Sequence, residues 1–345
     1  MRARLVSGVL FVAAFTLPAQ EILRKTAAMG TELTVRVVAS DRTTALRASE
    51  AAIAAVAEAE SRWSTWRADS ELARLNRAPV GVAMPLGEEL ANGLAAVAPF
   101  VAMTDGAFDP VCGALVATWG LRTGGALPTA DAVTAARAAS GWRHLHLEGT
   151  TAIRSHAEAR LDEGGFAKGL ALDHALAAAT AAGASSTLLD LGGQVAVAGT
   201  THPVRLAHPC HRDRAVVEFE LSAGSVATSG NSERGRIVAG QRVGHLLDPR
   251  TGSPAADFGC CVVVAPTALA ADCLSTGLFV AGPERALAFA ASQSDIDVVL
   301  LCKGDGDGPV RVFASARLHP RLRIVGDAEL VPLPRGRRPT KDSKP

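Results

Sequence analysis

The segment LDEGGFAKGLALD, residues Leu161 to Asp173, constrains this chain more than any other stretch. It places the carboxylate of Asp162 and two adjacent glycines at a turn that opens an apolar helix. The glycines let the backbone approach a ligand, and both the helix N-terminus and Lys168 favour an anion. Two interpretations are open: a phosphate-binding turn, or an ordinary strand-to-helix connection.

Five further segments contain candidate binding or catalytic residues. They are MGTELTV (29–35), TDGAFDPVCGALVATWG (104–120), ATSGNSER (227–234), GHLLDPRTGSP (244–254) and ALAADCLSTGLFVAG (268–282). With the central turn, this ordered set resembles the ApbE family of FAD:protein FMN transferases over residues 29–282. The resemblance implies transfer of the FMN half of FAD to a Ser or Thr hydroxyl of another protein, with release of AMP. FAD is then a substrate and not a redox cofactor.

Hydrophobic periodicity predicts a mixture of helices and strands. We expect helices over 43–59, 87–103, 128–140, 166–182, 269–280 and 283–291. Strands are expected over 32–38, 185–193, 194–200, 216–221, 225–228, 260–265 and 297–303. Since helices and strands do not alternate strictly, the pattern favours an α+β fold over a Rossmann or barrel fold. The resemblance implies a layered mixed sheet of the ApbE-like, T-fold-like kind.

The two ends differ in composition from the rest. Arg2 and Arg4 precede an apolar run and a small residue, Ala19, which is typical of an export signal over 1–20; a buried helix is the alternative. We expect a catalytic domain over 21–325 on the periplasmic side of the inner membrane. No cysteine precedes Cys112, so we do not expect a lipoprotein. The basic, proline-rich residues 326–345 are expected to form a disordered tail, with a binding element as the alternative.

Composition excludes some partners. The chain has 345 residues, 48% of them hydrophobic, which is enough for a sizeable core. With 35 basic and 34 acidic residues the net charge is +1, and no basic stripe is interleaved with aromatics, so we expect no nucleic-acid partner. The six cysteines form no C-x-x-C pair, and we expect buried free thiols.

Asp272 and Thr276 lie four residues apart on a predicted helix, so their oxygens project from one face. Mg²⁺ takes oxygen ligands and leaves positions for water and phosphate. The resemblance adds a backbone oxygen of Gly165 as a third ligand. A helix-terminal Asp and a core-facing Thr would give the same spacing without a metal.

His245 is the candidate general base, because a neutral imidazole can accept the proton of an attacking hydroxyl. The resemblance implies a catalytic histidine at this position; a structural or surface histidine is the alternative. Asp248 and Pro249 are expected to form the turn that fixes it.

The resemblance also implies a flavin clamp made of Met29, Trp66, Ala107, Phe108, Asp109, Asp162, Lys168 and Leu246. An indole such as Trp66 can stack on a flavin ring, whereas Phe108 and Asp109 could equally be a core residue and a turn residue. Glycines 192 and 193 are expected to form a tight turn near the flavin, with Ser229 and Gly230 in the same pocket. Ser232 and Leu246 depart from the family, which usually has an aromatic and an isoleucine there.

Three functions fit these residues. The first is a Mg²⁺-dependent, exported FMN transferase. The second is a FAD pyrophosphatase, in which water replaces the acceptor hydroxyl; the third is an exported flavin-binding protein without catalysis, which would need no base. For the first, the resemblance implies acceptors such as flavin-bearing subunits of Rnf or Na⁺-translocating NADH:quinone reductase complexes, or other exported flavoproteins.

Overall fold

The computed structural model describes residues 19–231, 235–304 and 308–332. Residues 1–18 of the predicted export signal lie outside this part of the chain, as do Ser232 and residues 333–345 of the predicted tail. None of the helices formed by the described residues combines the length and the apolar character needed to cross a bilayer.

The helices, in chain order, are α1 (Arg42–Trp63), α2 (Glu71–Arg77), α3 (Glu88–Met103), α4 (Gly113–Thr118), α5 (Ala130–Ala138), α6 (Ala167–Ala181), α7 (Ala268–Ala281) and α8 (Pro283–Ser292). All six predicted helices are present, with ends that shift by a few residues. The short helices α2 and α4 were not predicted, because two turns carry too little periodicity to be recognised.

The strands are β1 (Gln20–Ala28), β2 (Thr31–Ala39), β3 (Met84–Pro85), β4 (Leu145–Glu148), β5 (Thr151–Arg154), β6 (Ser186–Leu191), β7 (Gln194–Ala198), β8 (His202–Ala207), β9 (Ala215–Leu221), β10 (Gly224–Gly230), β11 (Arg236–Val238), β12 (Gln241–Val243), β13 (Leu247–Asp248), β14 (Ser253–Pro254), β15 (Gly259–Ala265), β16 (Asp297–Cys302), β17 (Val310–Ala314), β18 (Arg323–Ile324) and β19 (Ala328–Leu330). Every predicted strand is present.

One strand near the N-terminal end was not predicted, and one prediction about the C-terminal end was wrong. No element was expected in residues 20–28, yet β1 pairs along its whole length with β2. The tail was expected to be disordered from Gly326, whereas β19 pairs in parallel with β17. Both are edge strands, and the preference of a segment for the strand conformation depends on packing against its neighbours more than on its own sequence pattern.

Nine strands form the main sheet in the order β1-β2-β6-β7-β10-β15-β16-β17-β19. Its neighbours are antiparallel except for β17 and β19, which confirms a layered α+β fold with a mixed sheet. Successive side chains of β15 point to opposite faces, so Cys260 and Val262 pack in one core and Cys261 and Val263 in another. Burial on both faces explains the nearly continuous apolar sequence of this strand.

A layer covers each face of the sheet. Helices α1, α6 and α7 pack on one side around the fully buried Trp63 and Phe166. The small sheet β18-β9-β8 contributes Val204, Val217 and Phe219 to the core of the other side. This second layer leaves a space beside the middle of the main sheet, which becomes part of the site described below.

The expectation of buried free thiols holds for three of the cysteines. No disulfide links the six cysteines, and Cys260, Cys261 and Cys273 are buried. Cys210 is exposed, contrary to the prediction.

Helices α6 and α7 touch at Gly169. A Cβ at this position would lie 2.5 Å from the carbonyl oxygen of Ala268 and 2.7 Å from the Cα of Leu269. Both neighbours are backbone atoms in the first turn of α7, so neither can move independently. The approach of the two helices therefore requires a residue without a side chain here.

We expect Gly169→Ala to destabilise the protein by about 1–3 kcal/mol, because the added methyl group forces the helices apart. The measurement is the free energy of unfolding in urea. Ala177→Ser adds one atom at an exposed position of the same helix and should change stability by less than about 0.5 kcal/mol. Equal effects of the two substitutions would contradict the proposed steric constraint.

Candidate active site at the junction of two cavities

The glycine turn before α6 is tied to two other parts of the chain. The Asp162 N–H donates to the Pro110 carbonyl at 2.7 Å, and the Asp162 carboxylate accepts from the Gly164 N–H at 3.0 Å. A Cβ on Gly165 would lie 3.2 Å from both the Phe108 ring and Thr276 Oγ1. The absence of a side chain at Gly165 thus lets the turn pack directly against α7.

Helix α7 brings Asp272 and Thr276 to this turn. Asp272 is only 5% exposed; its Oδ2 accepts from the Gly169 N–H at 3.0 Å, and its Oδ1 lies 3.7 Å from Lys168 Nζ. One turn later, Thr276 Oγ1 is 3.4 Å from Ser229 Oγ on β10. The spacing of four residues places both side chains on the same face, as predicted.

Asp173 fixes the start of α7. This side chain on α6 accepts from the backbone N–H groups of Ala268 at 2.7 Å and Leu269 at 2.9 Å. Burial raises the pKa of the Asp173 carboxyl, and these two donors partly offset the effect. A carboxylate at a helix N-terminus also interacts favourably with the helix dipole.

Two adjoining cavities open around these residues. The larger, of about 560 Å³, is lined by every residue of the predicted clamp: Met29, Trp66, Ala107, Phe108, Asp109, Asp162, Lys168 and Leu246. The smaller, of about 350 Å³, is lined by residues of β7, β8 and β10, by the glycines at 192 and 193, and by Asp272. Both cavities share the residues Gly164, Lys168, His245, Leu246 and Thr276.

His245 lies at the junction of the two cavities. Its backbone N–H donates to Asn231 Oδ1 at 3.1 Å, which ties it to the end of β10. The predicted turn after it is present: the Asp248 carbonyl accepts from the Gly252 N–H at 2.7 Å, and the Asp248 carboxylate binds the Arg250 guanidinium at 2.8 Å. The backbone around His245 is therefore fixed at two points: at His245 itself, by Asn231, and after it, by the turn at Asp248.

Asp109 and Phe108 have structural contacts as well as a place in the cavity wall. The Asp109 carboxylate accepts from the Val111 N–H at 2.9 Å and the Trp142 N–H at 2.7 Å. Burial raises the pKa of Asp109, and these donors partly offset it. Phe108 is buried in the main helical core. Asp109 thus shapes the loop that forms this wall.

Sequence reasoning missed a charged cluster in the larger cavity. Arg122 Nη2 lies 2.6 Å from Asp162 Oδ2, 3.2 Å from Glu163 Oε2 and 2.6 Å from Thr65 Oγ1. Thr65 also donates to Glu163. The Arg122 guanidinium lies over the ring of Trp66, 4.6 Å from its centre. Trp66 is otherwise 70% exposed, so Arg122 covers one face of the indole predicted to stack on flavin.

Burial and the neighbouring Asp162 raise the pKa of Glu163, while Thr65 and Arg122 act in the opposite direction. The hydrogen-bonded pairs of this cluster that involve Thr65 or Arg122 are separated by 40 to 98 residues along the chain, so no local sequence pattern identifies them.

The oxygens near α7 suit Mg²⁺. Among residues 19–231, 235–304 and 308–332, no three His, Cys, Asp or Glu side chains are grouped to hold a metal ion. Asp272, Thr276 and the backbone of Gly165 offer a carboxylate, a hydroxyl and a carbonyl, and the close approach of Gly165 to Thr276 brings two of these together. Mg²⁺ commonly binds to few protein oxygens and completes its shell with water and phosphate.

An α+β protein with a glycine turn at a helix N-terminus and cavities of this volume has the features of a small-molecule site. Residues 29–300 match the model of the ApbE family. The chain is 31% identical over 293 residues to a FAD:protein FMN transferase of Klebsiella pneumoniae, covering 81% of this chain and 83% of that protein. The chain therefore belongs to the ApbE family.

Solved structures of ApbE proteins are similar to this chain in fold. The apo form of the flavinyl transferase ApbE of Pseudomonas stutzeri matches with a TM-score of 0.77 at 27% identity, over 88% of this chain and 97% of the other. An ApbE protein of Thermotoga maritima matches with a TM-score of 0.79 at 26% identity, over 88% and 99%.

We expect Arg122→Met to destabilise the protein by about 1–3 kcal/mol, because the substitution leaves the buried Glu163 carboxylate without its cation. The partial exposure of Arg122 moderates this effect. Adding Glu163→Gln should recover part of this loss, although Glu163→Gln alone should destabilise. Urea unfolding of both single variants and the double variant gives a coupling energy, expected to exceed about 0.5 kcal/mol.

Arg67→Met is the control, because Arg67 pairs with Asp69 at an exposed site. It should cost less than about 1 kcal/mol. Strictly additive effects of the Arg122 and Glu163 substitutions would show that the two side chains do not support each other.

Proposed function

We propose that this protein transfers the FMN half of FAD to a Ser or Thr hydroxyl of another protein and releases AMP. One observation carries the proposal: residues from five of the six sequence segments singled out above converge on the larger cavity, with His245, Lys168 and Thr276 at its junction with the smaller one. A transferase needs this arrangement, because a donor and an acceptor must meet at one reacting atom. The names of the relatives support the same activity.

The reaction proceeds at the FMN-side phosphorus of the pyrophosphate. The acceptor oxygen forms a bond to this phosphorus, the bond from phosphorus to the bridging oxygen breaks, and its electron pair leaves with AMP. His245 accepts the hydroxyl proton. Lys168 and the N-terminus of α6 lie where negative charge has to be stabilised.

The metal belongs to the same proposal. Asp272, Thr276 and the Gly165 carbonyl would hold Mg²⁺, which polarises phosphoryl oxygens when bound. The donor types and the contact between Gly165 and Thr276 support this assignment.

The proposal extends to the compartment, which is supported by the N-terminal sequence, and to the acceptors, which are suggested by the family resemblance. The charged and apolar pattern of residues 1–20 supports export to the periplasmic side of the inner membrane. Flavin-bearing subunits of redox complexes of the Rnf or Na⁺-translocating NADH:quinone reductase type are the acceptors we propose, with other exported flavoproteins as a wider class.

The direct test is to incubate the protein with FAD, Mg²⁺ and a flavin-free subunit of the Na⁺-translocating NADH:quinone reductase type. Mass spectrometry should find an FMN phosphoester on one Ser or Thr of the subunit, together with an equal amount of AMP. AMP and free FMN without an adduct would identify a pyrophosphatase. FAD binding without AMP would identify a binding protein and overturn both enzymatic functions.

We expect Asp272→Asn to abolish most transfer while FAD affinity falls only in part, since the ion acts mainly on charge that develops at phosphorus. Asparagine keeps an oxygen for the Gly169 N–H, so folding should be preserved. Mg²⁺ should raise the melting temperature of the wild type in the presence of FAD, and this shift should be lost in the variant.

EDTA should reproduce the effect of Asp272→Asn on transfer. The control is Asp257→Asn, because Asp257 pairs with Lys303 and lines neither cavity. Activity that persists in excess EDTA would refute the assignment of a metal.

We expect His245→Ala to reduce single-turnover transfer by about a hundredfold or more, with FAD affinity close to wild type, as for the loss of a general base. Added imidazole should restore part of the rate, because it can occupy the space left by the side chain. A variant that loses FAD binding in step with activity would make His245 a binding residue.

A further inference from the structure

Strand β10 is only half paired on one side. It pairs with β15 over residues 225–230, but with β7 only over residues 224–226. Residues 227–230 thus have no strand partner on the β7 side among the residues that the structure describes. Alternate residues of an antiparallel strand direct their N–H and C=O groups to each neighbour, so this edge retains hydrogen-bonding capacity. All four residues line the smaller cavity.

A tight turn directly before β7 explains why β7 pairs with only part of β10. β7 begins at Gln194, directly after Gly192 and Gly193, which have φ values of +62° and +88°. These conformations suit glycine and turn the chain back to β6. The Gly193 N–H donates to the Asp190 carboxylate at 2.8 Å, which holds the turn in place. The gap beside β10 is therefore built into the sheet.

A second strand borders the same cavity. β8 lies at the end of the small sheet, where its strand partner is β9. Its residues Val204, Arg205, Leu206 and Ala207 line the cavity. Extended peptides commonly bind by adding a strand to such an edge, with main-chain hydrogen bonds giving affinity and small pockets giving specificity.

Gln194 gives independent support for a polar occupant. Its side chain is 3% exposed, and its Nε2 donates to the Ala268 carbonyl at 2.8 Å. Its Oε1 is buried and has no hydrogen-bond partner among the described residues. Buried polar atoms of native proteins usually have a partner, so this acceptor retains capacity for one donor beside the cavity that Gln194 lines.

The smaller cavity also reaches the reacting groups. It shares His245, Lys168 and Thr276 with the larger cavity, yet none of the clamp residues except Lys168 and Leu246 lines it. A hydroxyl presented from the smaller cavity would thus approach the junction from the side opposite the flavin clamp. This is the geometry that a second substrate requires.

We infer that the smaller cavity binds the hydroxyl-bearing segment of the acceptor protein, in extended conformation, as a short added strand along residues 227–230. This inference rests on the proposed transferase function and identifies where the second substrate binds. A volume of about 350 Å³ favours small residues around the Ser or Thr, and the walls combine valines such as Val204 with the charged side chains of Arg205 and Arg212.

Thr228→Trp tests the inference, because Thr228 is exposed and lines only the smaller cavity. The acceptor is the flavin-free subunit of the Na⁺-translocating NADH:quinone reductase type used above. We expect kcat/KM for this acceptor to fall by about tenfold or more, mainly through KM, while the Kd for FAD stays within about twofold of wild type. Thr26→Trp is the matched control, since Thr26 is an exposed strand threonine of the same sheet that lines neither cavity.

Hydrogen exchange gives a readout that does not depend on catalysis. When the wild-type protein binds the same subunit without FAD, amides within residues 227–230 and 202–207 should exchange more slowly. Slower exchange only in other parts of the chain would overturn the inference.

The kinetic outcomes separate this inference from the proposed function. A Thr228→Trp variant that transfers FMN like the wild type, or one that loses FAD affinity, would overturn the inference and leave the transferase function intact. A wild-type protein that binds FAD but modifies no acceptor would overturn the transferase function itself, and the inference with it.

Discussion

The contact between α6 and α7 at Gly169 is the constraint on which the site depends. The glycine lets the helices approach until its N–H reaches the buried Asp272 carboxylate at 3.0 Å. Asp173 adds two hydrogen bonds to the first turn of α7. Because these interactions fix α7 relative to the start of α6, Thr276 comes to lie against the Gly165 backbone. The glycine turn before α6 and the oxygen donors of α7 are thereby placed together.

The Asp272 carboxylate contributes both to stability and to the proposed chemistry. Asp272 is buried beside Lys168 and accepts a backbone hydrogen bond, and such partners are what make a buried charge tolerable. A cation near its second oxygen would add a further partner. The residue is thus part of the packing between helices and part of the proposed metal site, which is why an isosteric substitution is more informative there than truncation.

The two cavities have different origins. The larger is formed by loops and helix ends, and its charged cluster around Arg122 holds Asp162 in the turn and covers one face of Trp66. The smaller results from the sheet itself, where a turn of two glycines directly precedes β7 and leaves residues 227–230 of β10 without a strand partner on that side among the described residues. Loops commonly carry small-molecule sites, whereas a strand edge suits main-chain recognition of a polypeptide.

The sequence by itself determined most of the longer elements and the α+β class, because helical periodicity, apolar runs and glycine turns are local properties, whereas the clamp residues were implied by the family resemblance. The spacing of Asp272 and Thr276 on α7 and the turn at Asp248 are examples. The tertiary structure alone decided the pairing of the edge strands β1 and β19, the cluster of Arg122 with Glu163, and the half-paired edge of β10. The Arg122 cluster and the edge of β10 depend on partners far apart in the chain, whose meeting is set by packing and not by any local pattern, and the edge strands depend on packing against their neighbours in the sheet.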